Sequence, residues 1–101
     1  MVSLTVNTKR HYNMNMHEIH QQNQAKLSEC LAMLAQFDIR AKSALWKFYN
    51  NCRTIMVEMD KEMVYCRRRG KLSGKYSSLQ AEFDECVNTY KQWVTMAALS
   101  Y

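Results

Sequence analysis

The chain has 101 residues, carries 14 lysines and arginines against 9 acidic side chains, and has a net charge of +5. That length leaves room for one domain with a modest core and none for a second, so stabilisation by partners is expected. There is no proline and there are two glycines, which argues against a turn-rich fold and for long uninterrupted helices.

The start, "MVSLTVNTKR", lacks the basic and long apolar regions of a signal peptide. No apolar run approaches the roughly 18 residues of a membrane span, and no Asn-x-Ser/Thr acceptor occurs. A cytoplasmic or nuclear location is expected, including the cytosolic face of an organelle or the cytoskeleton. The four cysteines, Cys30, Cys52, Cys66 and Cys86, form no C-x-x-C pair, so a zinc or redox motif is not expected and a reducing compartment fits.

Residues 1–14 show no helical period and are expected to form a flexible tail. Asn15 followed by Glu18 has the spacing of a helix N-cap. The first helix is expected over 15–69. Along it, Leu27, Cys30, Leu34, Phe37, Ala41, Ala44 and Phe48 step by three and four alternately, a heptad seam. His20 and Asn23 occupy the polar start of that seam. After Phe48 come Cys52, Ile55, Met59, Met63 and Cys66, with consecutive four-steps that read as stutters.

Arg67, Arg68 and Arg69 belong in the last turn of this helix, where cations meet the negative end of the dipole. Gly70 follows as the left-handed C-terminal residue, and a turn is expected over 70–77. Ser77 and Gln80 have capping-box spacing for a second helix over 78–100. Its seam is Leu72, Tyr76, Leu79, Phe83, Cys86, Tyr90, Trp93 and Ala97.

The first helix would be about 80 Å long and the second about 35 Å. Folded back, the second reaches only to about Phe48. Residues 52–66 then pack on the protein's own second helix, while nothing in the chain covers Leu27 to Phe48. The predicted fold is all-α: a long coiled-coil helix and a shorter antiparallel one, a helical hairpin within a multi-chain bundle. Expected partner contacts are Leu27, Cys30, Leu34, Phe37, Ala41, Ala44, Phe48, Phe83, Tyr90 and Trp93, met by other helical subunits in a hetero-oligomer.

No phosphate loop, nucleophile elbow or paired-carboxylate signature is present, so neither an enzyme nor a cofactor is expected. His17 and His20 lack the further ligands that a closed metal site needs. Arg67, Arg68, Arg69, Lys71 and Lys75 are a candidate anion site for nucleic acid or acidic membrane. The competing view is a solvated turn.

The stretch "FYNNCRTIMVEMDKEMVYCRRRGKLSGKY", Phe48 to Tyr76, resembles the KxDL-motif family. The similarity lies in "RT" shortly before "VEM", the tetrad Asp60-Lys61-Glu62-Met63, and a basic run leading to "GK". Asp60 stands where that family has its first lysine, Glu62 replaces aspartate, and Met63 replaces leucine. The basic run is one residue out of register. The resemblance implies a subunit of a multi-chain coiled-coil complex in lysosome positioning, on an organelle's cytosolic face. A cytoskeletal, kinetochore or axonemal coiled-coil subunit fits the same pattern.

Overall fold

The computed structural model describes the backbone at residues 15–37 and 39–100, with side chains described there except at 39–41 and 100. The expected tail over 1–14 lies outside the described residues. Three helices follow in order: α1, Met16–Leu34; α2, Ile39–Arg69; and α3, Gly74–Ser100. The fold is all-α, and each helix packs on the other two.

The helix expected over 15–69 is therefore two helices. α1 starts where the capping pattern placed it: the Asn15 side chain accepts the Glu18 amide at 2.9 Å and donates back to the Glu18 carboxylate at 3.2 Å. It ends in tightened turns, with Gln36 N–H donating to the Met33 carbonyl and Phe37 N–H to that of Leu34. The chain then reverses, and α2 runs antiparallel to α1. The His20 ring meets Asp60 near one end of the pair, and Leu31 and Trp46 share a recess near the other.

The second reversal follows the sequence closely. Gly70 has φ +77°, the left-handed conformation that a Cβ disfavours. Its N–H donates to the Cys66 carbonyl at 2.8 Å. The turn is shorter than expected, because Ser73 rather than Ser77 is the N-cap. Ser73 Oγ accepts the Tyr76 amide at 3.1 Å and donates to the Glu62 carboxylate at 2.7 Å. α3 then runs back along α2 and past Phe48, whose ring stacks on Trp93 at 5.3 Å.

The core seams differ from the expected ones in register. On α2 the buried residues are Leu45, Tyr49, Cys52, Met56, Met59, Met63 and Cys66. They step by four and three without a stutter. The apparent stutters come from reading Ala44 and Phe48 in place of Leu45 and Tyr49, and Ile55 in place of Met56. On α3 the buried line is Tyr76, Phe83, Val87, Tyr90 and Val94, one position beyond Cys86 and Trp93. α1 contributes Cys30 and Leu34, with Leu27 half-buried beside them. The chain thus covers part of its own first seam, at Cys30 and Leu34, a stretch expected to be left to partners.

Gly70→Ala should destabilise the bundle by about 1–2 kcal/mol, the cost of a Cβ in the left-handed region. No heavy atom lies within 4 Å of the added Cβ, so Gly70→Asn should recover part of the loss. Urea unfolding of the two variants checks both values.

Candidate functional site

The polar residues of the core form one continuous chain across all three helices. Asp60 lies on α2, His20 and Asn23 on α1, and Tyr76 and Gln80 on α3. His20 Nε2 is 2.6 Å from the Asp60 carboxylate, and Nδ1 is 2.7 Å from the Tyr76 hydroxyl. A carboxylate only accepts, so Nε2–H donates to Asp60. In the neutral ring Nδ1 then accepts the Tyr76 proton, and Tyr76 Oη accepts from the Asn23 amide at 3.1 Å. Asn23 and Gln80 exchange reciprocal amide bonds of 2.5 and 2.8 Å. Gln80 also donates to Asp84 at 3.0 Å, and Lys26 pairs with the same carboxylate at 3.3 Å.

His20 and Asn23 are only 5% and 2% exposed, so each would be costly without partners. Among the described residues, no buried side-chain nitrogen or oxygen lacks a partner. Burial raises the Tyr76 hydroxyl above its ordinary pKa, and the Asn23 hydrogen bond opposes this in part. Both nitrogens of His20 are occupied by protein groups, and Tyr76 is fully buried. The geometry suits a three-helix cross-link: it offers no free lone pair on the imidazole and no exposed nucleophile. A cleft of about 470 Å³ opens beside it between α1 and α3, lined by Ile19, Asn23, Lys26, Leu72, Tyr76 and Gln80 among others. On its wall Asn23, Lys26, Tyr76, Gln80 and Asp84 already have hydrogen-bond partners.

The cysteines behave as core residues. Cys52 shares a hydrogen bond with Cys86 and lies near Cys30, and burial pushes its thiol well above the ordinary range. Burial also raises Cys30. Such thiols are poor nucleophiles. Cys66 instead accepts the Ser73 amide at 3.4 Å, tying the α2–α3 turn to the core. Among the described residues no group of three or more His, Cys, Asp or Glu could hold a metal ion.

Of the expected partner contacts, Cys30, Leu34, Phe83 and Tyr90 are buried within the chain itself. Tyr90 Oη donates to the Cys30 carbonyl at 2.5 Å. Leu27, Phe37 and Phe48 are half-buried, Ala44 and Trp93 are exposed, and the Ala41 side chain lies outside the described ones. Arg67, Arg68, Arg69, Lys71 and Lys75 are all exposed. The ion pairs found among the described residues involve other cations: His20, Lys26, Lys61 and Lys91.

Exposed apolar residues off the expected seams include Trp46 and Val57, which the sequence places as flanking residues that widen the stripe, and Leu31, Val64, Met96 and Leu99. Trp46, Val57 and Val64 fall within about 20° of one line along α2 at 100° per residue. Spacings of eleven and seven could have found that line in the sequence. Lys42 lines the recess that Leu31 and Trp46 form.

No family model, curated protein or solved structure matches the chain. Among the described residues, no helix is long and apolar enough to cross a membrane.

Tyr76→Phe should cost about 1–3 kcal/mol, because it leaves buried His20 without its Tyr76 partner and one Asn23 N–H without an acceptor. Asp60→Asn keeps an acceptor at a half-exposed site and should cost less; thermal unfolding ranks the two. Burial pushes the Tyr90 hydroxyl up to about 12. The folded state therefore keeps a proton that the unfolded chain releases near pH 10. Stability from this group is complete below pH 10 and is lost as pH rises through about 12. Tyr90→Phe should remove that part of the alkaline slope, seen by comparing unfolding curves of both proteins across this range.

Proposed function

We propose that the protein is a non-enzymatic helical scaffold or adaptor subunit that holds other helical proteins in a hetero-oligomeric complex. One observation carries the reading: large apolar side chains remain in water after the chain has covered its own core. Trp46, Val57 and Val64 form an exposed line on α2 with Leu31 beside it, and Trp93 and Leu99 stand exposed near the end of α3. Exposed tryptophan and aliphatic residues in a line are a usual mark of an interaction surface. Lys42 borders the Leu31–Trp46 recess, and Arg53 and Lys61, each one turn from Val57, are exposed. The matching partner is an amphipathic helix with an apolar stripe and acidic borders.

The similarity of Phe48–Tyr76 to the KxDL-motif family supports a specific version, a subunit in lysosome positioning on an organelle's cytosolic face. A cytoskeletal, kinetochore or axonemal subunit uses the same surface. A second reading rests on the basic corner. Five exposed cations lie within nine residues and are not among the ion pairs, so they would attract nucleic acid or acidic membrane.

The double variant Trp46→Asp/Val57→Asp should leave the helical signal intact, since both side chains are already about half in water. It should reduce the co-purifying helical proteins at least tenfold, as read by quantitative mass spectrometry of a tagged copy from its own cells. The triple variant Arg67→Gln/Arg68→Gln/Arg69→Gln should retain them. The reverse pattern would replace the scaffold reading with the anionic one.

A further inference from the structure

The two chain reversals are built differently. Gly70 enforces the second with a positive φ. The first connects Leu34 to Ile39 through Ala35, Gln36, Phe37 and Asp38, with no glycine or proline. Ala35 keeps right-handed helical angles, φ −64° and ψ −16°, and no described non-glycine residue has a positive φ. Nothing in the local sequence therefore forbids a helix that runs straight from α1 into α2.

The core faces of the two helices are also in phase. Leu34 is the last buried residue of α1, and Leu45 is the first on α2. They are eleven residues apart, three helical turns with about 20° to spare. In a straightened helix the α1 seam (His20, Asn23, Cys30, Leu34) and the α2 seam (Leu45 to Cys66) would share one side. Had they been out of phase, straightening would point one of them into water.

We propose that the protein forms a dimer by exchanging α1, and that the second copy supplies the α1 that each α2–α3 hairpin requires. Two straight helices lie antiparallel, with α1 of each against α2 and α3 of the other. The contacts of α1 with α2 and α3 are then remade between chains: His20 with Asp60 and Tyr76, Lys26 with Asp84, and Tyr90 with the Cys30 carbonyl. Exchange of an identical element needs no new surface, and a short connection between packed helices favours it. The two-fold axis falls near residues 39–40, midway between His20 and Asp60. This brings Phe37 of one chain, half-buried in the closed chain, beside Ala44 of the other, which is exposed there. The heptad Leu34, Phe37, Ala41, Ala44 and Phe48, interrupted in the closed chain, becomes continuous there.

The test is light scattering under reducing conditions across a wide concentration range, on the wild type and two variants. Ile39→Pro places proline at the first position of α2, where a separate helix tolerates it but a continuous helix does not. The second variant inserts Gly-Gly-Ser-Gly between Gln36 and Phe37; it breaks the straight helix and relaxes the closed connection. Equal amounts of isotopically light and heavy wild type are also unfolded together, refolded and treated with a zero-length carbodiimide. The Lys26–Asp84 pair, 3.3 Å apart, is the reporter. The wild type should show a dimer that grows with concentration and contains light–heavy Lys26–Asp84 cross-links. Both variants should keep the helical signal and run as monomers. If Ile39→Pro fails to fold, the insertion variant decides. A wild type that is monomeric throughout, a dimer with only same-isotope cross-links, or a dimer undiminished in the folded variants would overturn the proposal.

Discussion

The bundle depends on the hydrogen-bonded chain from Asp60 through His20 and Tyr76 to Asn23 and Gln80. α2 and α3 bury a long apolar seam in each other, rich in methionine and aromatic side chains. α1 brings only Cys30 and Leu34 as fully buried apolar residues, and an equal number of buried polar ones. Its N-terminal half is located by directional bonds. Hydrophobic burial is tolerant of small slips along a helix, whereas a histidine bonded at both nitrogens is not. The polar chain therefore sets the register of α1 and makes its docking all-or-none.

This division gives the two interfaces different physical characters. The α2–α3 interface joins sequence neighbours across an enforced turn and is dominated by apolar area. The docking of α1 combines a smaller apolar contact with a network that is stable only when every member is present. The tyrosines tie the two interfaces together. Tyr76 belongs to the polar chain, and Tyr90 carries a hydrogen bond from the α3 core to the backbone of α1. Each buries a large ring while satisfying one hydroxyl. Once the core is closed, what remains for other molecules is the exposed apolar line of α2, the end of α3 and the basic corner.

Much of this was legible in the chain. Asn15 and Glu18 announce the start of α1, and Gly70 after three arginines announces the end of α2. α3 folds back along α2 as expected but reaches beyond Phe48, which stacks on Trp93 while the helix continues to Ser100. The seams were legible only to within one position. Ala44 and Phe48 extend the α1 heptad in perfect rhythm, and that rhythm concealed the true α2 line from Leu45 to Cys66. Cys86 and Trp93 likewise flank the buried Val87 and Val94. In a helix with apolar residues on a wide stripe, several lines have nearly the same spacing, and only neighbouring helices choose among them.

The sequence by itself determined the helical class, the start of α1 and the turn at Gly70, because caps and backbone angles are local and depend on residues a few positions apart. Only the tertiary structure decided that the chain breaks near residues 35–38. It also decided that His20 meets Asp60 and Tyr76, forty and fifty-six positions away. No local signal forces that reversal. It exists because folding α1 back buries Cys30 and Leu34 and completes the polar chain, a gain that appears only when all three helices are assembled.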